Sequence, residues 1–358
     1  MVRTMRTILG VLLFCACGDK HPVTSPPPVA PPDAAMAVVA TDAAVAPPVD
    51  KSIELAKGQP APTEIVVTAT DIVWIDEGNG DETGGKIMKL SKAGGQPVEL
   101  AKDQVVPLGL AVDATTAYWT TRGPSGSMTD VKPTGGVWSV PLAGGKITAL
   151  ATKRGTPHAI ALDATSVYFA EHGLVESKGA TISKVSKRGG GVTVVHGKEK
   201  SPGGIAIDAD HIYWATGGSC ISEDGAPMPS DGSISSMPLK GGAIKVLITG
   251  LICPEGISID SDSIYVAAPD SGKILRIPKT GGPAVTAAQD EPGARWVTVD
   301  AKTIYWANQG THKVRRRAKS GGAIETLATM EDPVGIAVDD QFIYFTDSKL
   351  GVVKKRPR

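Results

Sequence analysis

A nine-residue unit recurs seven times between residues 66 and 345, and no other feature narrows the possible folds as far. Five copies read AVDATTAYW ending at Trp119, ALDATSVYF at Phe169, AIDADHIYW at Trp214, TVDAKTIYW at Trp306 and AVDDQFIYF at Phe345. Two are degenerate, VVTATDIVW ending at Trp74 and SIDSDSIYV ending at Val266. Each copy is an apolar strand, an acidic turn and a second strand that ends on a bulky pair. The end points lie 45, 50, 45, 52, 40 and 39 residues apart, the length of a four-stranded propeller blade and not of a helical repeat.

The remainder of each unit supplies the other two strands. A third strand runs into a Gly-Gly pair, as in GKIMKLSKAGG ending at Gly95 and GKILRIPKTGG ending at Gly282, where positive φ carries no Cβ penalty in a hairpin. A short fourth strand follows, such as QPVELA from Gln96 or AIETLA from Ala323. The last unit stops after its third strand, GVVKKRPR, and lacks a fourth. KSIELAK, Lys51 to Lys57, reads like a fourth strand and precedes the first strand of unit one, so it completes the last blade and leaves no open sheet edge. The expectation is therefore an all-β fold: a seven-bladed β-propeller of four-stranded blades over residues 51–358, its ring closed by the N-terminal strand. A six-bladed ring must discard the copy at Trp74 or the one at Tyr265.

Upstream of the repeats the composition changes. Arg3 and Arg6 precede an apolar run from Ile8 to Ala16, the order of a secretory signal and too short to span a bilayer. Phe14, Cys15, Ala16, Cys17, Gly18 resembles a bacterial lipoprotein signal, which implies residues 1–16 as the signal peptide and Cys17 as the lipidated residue; Phe14 stands where Leu is usual. Gly18 after the cysteine resembles outer-membrane sorting. Residues 21–50 are rich in proline and alanine with almost no charge, a composition that favours extended chain, so 17–50 is read as the anchor site and a tether. The localisation expected is the cell envelope, lipid-anchored in the outer membrane.

The tetrapeptides YFTD from Tyr344, YWTT from Tyr118, YFAE from Tyr168 and YWAN from Tyr305 resemble the YWTD propeller repeat. PVGIAVD from Pro333 resembles both YWTD and NHL repeats. YWTD domains usually have six blades, and most copies here lack the final Asp. The resemblance implies a binding platform and occasionally an enzyme.

In such a ring the start of the first strand and the end of the second emerge on one face, the usual ligand face. Five residues before each repeat turn the chain carries Thr63, Leu108, His158, Gly203, Glu255, Arg295 and Val334. Two residues after each aromatic position it carries Asp76, Thr121, Glu171, Thr216, Ala268, Asn308 and Asp347. The candidate ligand face is His158, Glu171, Glu255, Arg295, Trp296, Asn308 and Asp347. Resemblance to SMP-30-like lactonases and related lyases implies that Glu255, Asn308 and His158 are the ligands if a divalent cation is held. The competing structural reading pairs Arg295 with Glu255 and has Glu171 and Asp347 bond adjacent blades; it needs no cofactor and is preferred. Units one to four carry long loops after the second strand, at 77–85, 122–136, 172–179 and 217–232, which wall half of the mouth. Cys220 in the fourth of these and Cys253 before the first strand of unit five are expected to form a disulfide in an exported protein.

With 37 basic against 37 acidic residues the chain has no global pull toward nucleic acid. Nucleophile-elbow, H-E-x-x-H, Rossmann and P-loop spacings are absent. The function expected is non-enzymatic binding or scaffolding of an envelope protein, peptide or glycan, with the membrane reached through the lipid anchor. A metal-dependent lactonase or lyase is the alternative. All six tyrosines and twelve of the 16 aromatics belong to the repeat pair, which leaves Trp138 and Trp296 as the main aromatics outside it.

Overall fold

Seven antiparallel four-stranded sheets make up the repeat region of the computed structural model. It describes residues 50–358 apart from 79–82, 125–132, 174–178 and 218–228. The expected signal peptide, Cys17, most of the expected tether, Cys220 and the tips of the four long loops lie outside the described residues. Blades 1 to 6 span 62–104, 107–154, 157–197, 202–251, 257–288 and 294–329. Blade 7 spans 333–357 and takes Ile53–Ala56 as its outer strand, paired antiparallel with Val352–Pro357. The expected closure is thus observed: strands from the two ends of the repeat region share one sheet, and the ring has no open gap. A single 3₁₀ turn, Pro269–Ser271, is the only helical element among the described residues.

The Gly-Gly pairs turn the third strand into the fourth. Both glycines have φ between 79° and 142° at 94–95, 144–145, 189–190, 241–242, 281–282 and 321–322, a range that any side chain would strain. The core lies between blades. Blade 1 gives Val73 and Ile75, and blade 2 gives Leu110, Trp119 and Val140, to one apolar cluster. Ile65, Trp74 and Met88 of blade 1 meet Ala337, Tyr344 and Val353 of blade 7 in another, which seals the ring. Period-two alternation produces this arrangement, because each blade must cover both faces of the next.

At the turn between first and second strands the repeat aspartates do three jobs. Asp208 Oδ1 accepts from the backbone N–H of Asp210 and His211, and its Oδ2 accepts from Tyr213 Oη at 2.9 Å and from Lys279 Nζ of blade 5 at 2.7 Å. The lysine also lies 5.1 Å over the Tyr213 ring. The same clasp joins Asp113 to Lys187, Asp260 to Lys319 and Asp339 to Lys92, the last across the closure, while Arg358 serves Asp300. Blade 1 has Thr68 and Val73 in place of Asp and Tyr, and blade 2 there presents Leu142, packed with Val73. The cation is missing there along with the carboxylate, whereas Asp163 of blade 3 keeps the bond to Tyr168 Oη at 3.0 Å but has no cation among the described residues, since blade 4 carries Leu239 at the lysine position.

Candidate functional site

Four residues before each repeat turn the chain reads Glu64, Gly109, Ala159, Gly204, Gly256, Trp296 and Gly335. Glycine dominates because the first strands converge on the axis. A Cβ on Gly109 would lie 2.2 Å from the carbonyl oxygen of His158, one on Gly256 2.3 Å from that of Arg295, and one on Gly335 2.1 Å from that of Thr63. Gly204 N–H donates to Glu255 O at 2.8 Å and Gly256 N–H to Arg295 O at 3.1 Å, so the blades are stitched at this level. Glu64 and Trp296 break the pattern.

One step nearer the mouth, five of the seven inner-ring residues found by counting along the repeat surround a single cavity of about 280 Å³: Thr63, Leu108, His158, Arg295 and Val334. Glu64, Glu77, Trp296, Gln309, Asp332 and Ser348 also contribute to its wall. Adjoining it is a second cavity of about 200 Å³, lined by Ile65, Ile160, Ile205, Ile257 and Ile336 among others. Glu64 and Trp296 border both.

Charge in this mouth is unevenly distributed. Arg295 Nη1 reaches both oxygens of Glu255, at 2.8 and 2.9 Å, so the structural pairing expected between these two is present. Burial raises the Glu255 carboxyl, offset in part by Arg295. Burial likewise pushes Glu64 up to about 8, since its opposing influence is one hydrogen bond, from Leu110 N–H to Oε2 at 2.9 Å. His158 stacks on His172 with centroids 5.1 Å apart and faces Trp296 at 6.4 Å. Burial, reinforced by His172 and Arg295, lowers His158 to about 4, so it is neutral at pH 7. Among the described residues its Nδ1 has no hydrogen-bond partner, whereas His172 Nε2 contacts Pro202 O at 2.8 Å.

Glu171, Asn308 and Asp347 stand apart from this group. They lie at the ends of second strands, at most 2% exposed, and are consumed by interblade bonding. Glu171 accepts from Arg154 Nε at 2.9 Å, Thr181 Oγ1 at 2.9 Å and Ser183 Oγ at 3.0 Å. Asp347 accepts backbone N–H groups of Glu331, Asp332, Lys349 and Leu350, which ties the connection from blade 6 to blade 7. Asn308 Nδ2 donates to Glu291 Oε2 at 2.6 Å. Of the three residues named for a divalent cation, His158 lines the cavity, Glu255 holds Arg295 beside it, and Asn308 is turned into the protein. Among the described residues no three His, Cys, Asp or Glu side chains converge to hold a metal ion.

An unforeseen pattern explains why the acids are spent. Fifteen residues before three of the tryptophans lies an acceptor for the buried indole N–H: Gln104 for Trp119, Glu199 for Trp214 and Glu291 for Trp306, each at 2.9 Å. Where the aromatic is phenylalanine the same position holds Arg154 or Met330, and Arg154 lies 5.7 Å over the Phe169 ring. In three blades the indole donor thus meets an acceptor just ahead of the blade, whereas Trp74 Nε1 donates to Asp76 Oδ1 on its own strand at 3.0 Å. Glu64 and His172 were also missed; the signal for Glu64 was one register away, in a column where four of the other six residues are glycine.

No protein-family model matches the sequence, and no curated protein matches it. Solved structures with the same fold include a streptogramin B lyase, 17% identical with a TM-score of 0.65 over 86% of this chain and 97% of that one. Virginiamycin B lyase from Staphylococcus aureus is 14% identical with a TM-score of 0.64, over 85% and 97% of the two chains. A chain of the nidogen/laminin complex is 18% identical with a TM-score of 0.53, over 71% and 95%. At these identities the likeness shows the fold alone, a β-propeller.

Proposed function

We propose that this chain is a lipid-anchored cell-envelope propeller that acts as a binding or scaffold module and takes a protein, peptide or glycan at the mouth. One observation carries the reading. The polar groups between blades are occupied by the fold, whereas His158, Arg295, Trp296 and Glu64 gather around one open cavity on a rigid ring. A similar fold occurs in a chain of the nidogen/laminin complex, which favours a protein partner. In this reading Cys17 carries the lipid, and a Cys220–Cys253 disulfide pins the long loop of blade 4 beside Cys253, which is buried ahead of the first strand of blade 5. Crosslinking in native envelopes tests it: a partner retained by wild-type protein and lost from Arg295→Ala and Trp296→Ala supports the assignment, and a partner set unchanged in both variants refutes it.

The runner-up is the metal-dependent lactonase or lyase expected with Glu255, Asn308 and His158, of which only His158 and Glu255 stand at the mouth, Asn308 being bonded to Glu291. The stacked His158–His172 pair with its unpartnered Nδ1 is the observation that favours it. Bound divalent metal together with lactone turnover that disappears in His158→Ala and Glu255→Ala would establish that reading over the first.

A further inference from the structure

Resting on the reading of the mouth as a binding site, we propose that its ligand is a basic side chain of a partner protein, a lysine ammonium or arginine guanidinium received between the Glu64 carboxylate and the Trp296 indole. At this level of the ring a Cβ meets a neighbouring carbonyl oxygen at 2.1–2.3 Å in three blades, so large side chains are tolerated only where adjacent strands make room. Blades 1 and 6 both make room, and both side chains border the same space. The fold uses neither fully. Among the described residues the Glu64 carboxyl accepts one hydrogen bond, at Oε2, and Oε1 has no protein donor. The Trp296 indole N–H donates no hydrogen bond among them, and the ring's one aromatic neighbour is His158.

Charge selects the ligand class. The groups lining the cavity with Glu64 are His158, Glu77, Asp332 and Arg295. His158 is neutral, with His172 stacked behind it. Arg295 is already engaged twice by Glu255. Arg122 answers Glu77, and Gln309 and Ser348 donate to Asp332, so of the three carboxyl groups Glu64 is the one left without a cation or side-chain donor among the described residues, beside an indole face that attracts cations more strongly than any other side-chain ring. Its volume of about 280 Å³ is at the lower end of small-molecule sites, the size of one side chain and not of an oligosaccharide. An arriving cation displaces the proton that burial keeps on Glu64, so binding and ionisation are linked.

Titration calorimetry of the full chain with N-acetyl-arginine amide, N-acetyl-lysine amide and the neutral isostere N-acetyl-citrulline amide tests this at pH 6.5 and 8.5. The two cations are expected to bind at least about tenfold more tightly than the citrulline compound, and to tighten about tenfold from pH 6.5 to 8.5 with proton release. Glu64→Gln keeps an acceptor for Leu110 N–H, and its fold is checked by thermal unfolding. It is expected to weaken cation binding about tenfold and to abolish the pH dependence, whereas Trp296→Leu weakens binding and leaves the pH dependence in place. Equal affinity for citrulline, unchanged binding in Glu64→Gln, or no binding of either cation overturns the proposal. A mouth partner that survives Glu64→Gln but is lost in Arg295→Ala leaves the binding module standing and removes only the cation. Loss of no partner in any mouth variant removes the binding module itself.

Discussion

Replacing Glu291 by leucine tests whether the connections between blades hold the ring together through buried carboxylates. Glu291 is 0% exposed and lies on the connection from blade 5 to blade 6. Its carboxylate collects Trp306 Nε1 at 2.9 Å, Asn308 Nδ2 at 2.6 Å and Arg315 Nη1. Leucine strands all three donors. An uncompensated buried charge costs about 3–5 kcal/mol, and each orphaned neutral donor about 1–3 kcal/mol. The three share one acceptor, so the losses overlap, and a total near 5 kcal/mol is expected, a large share of the roughly 5–15 kcal/mol that stabilises a typical domain. Urea unfolding followed by tryptophan fluorescence measures it, with the m-value compared between variants. Removing the stranded cation as well, in Glu291→Leu with Arg315→Met, is expected to recover about 3 kcal/mol. The exposed pair serves as contrast: Arg295→Ala breaks the bond to Glu255, with Arg295 52% exposed, and is expected to cost under about 1 kcal/mol. A loss below about 1 kcal/mol in Glu291→Leu, or a double variant no more stable than the single, refutes the reasoning.

Acid is expected to loosen the interblade clasps. Asp208, Asp260 and Asp339 are held well below the usual carboxylate range by lysine, tyrosine and backbone donors against the cost of burial. Their contribution is present above the unfolded carboxylate range, near pH 4, and is lost as pH falls through the folded values; Lys279→Met should flatten that acid limb in thermal melts. Glu64 has the opposite sign, because a raised folded value makes the native state the better proton binder between about pH 4.5 and 8. The melting temperature of Glu64→Gln is therefore expected to gain on wild type as pH rises through that window, and parallel curves would contradict the assignment. Unreduced intact mass of exported protein should show no free thiol at Cys220 or Cys253. Cys220→Ser is expected to lose stability by up to about 3–4 kcal/mol, the value for a loop of that length. Cys17→Ser is expected to move the protein from the membrane to the soluble fraction and to abolish incorporation of labelled fatty acid; retention in the membrane would reject the anchor.

The repeat was legible because a propeller states its architecture in one dimension. Blade count, the glycine hairpins and the closing strand at Ile53–Ala56 all follow from a spacing near 45 residues and one missing strand. The inner ring was legible in part: counting back five residues found His158 and Arg295, which do share a cavity. Counting forward two from the aromatics found Glu171, Asn308 and Asp347, whose side chains face the preceding connection and not the channel. Register along a strand gives the level of a residue in the ring, but the bulge at the start of the first strands and the turn of each blade decide which way the side chain leaves.

The sequence by itself determined the ring, because seven copies of one hydrophobic pattern can bury their faces only against one another. Tertiary structure alone decided which polar side chains are spent and which remain available. That distinction depends on distances between strands dozens to hundreds of residues apart, such as Thr346 Oγ1 donating to Thr63 O at 2.6 Å across 283 residues. Glu64 shows the difference most sharply: in the chain it is one acidic residue in an apolar strand, and in the ring it occupies a level where close backbone approach makes glycine the rule.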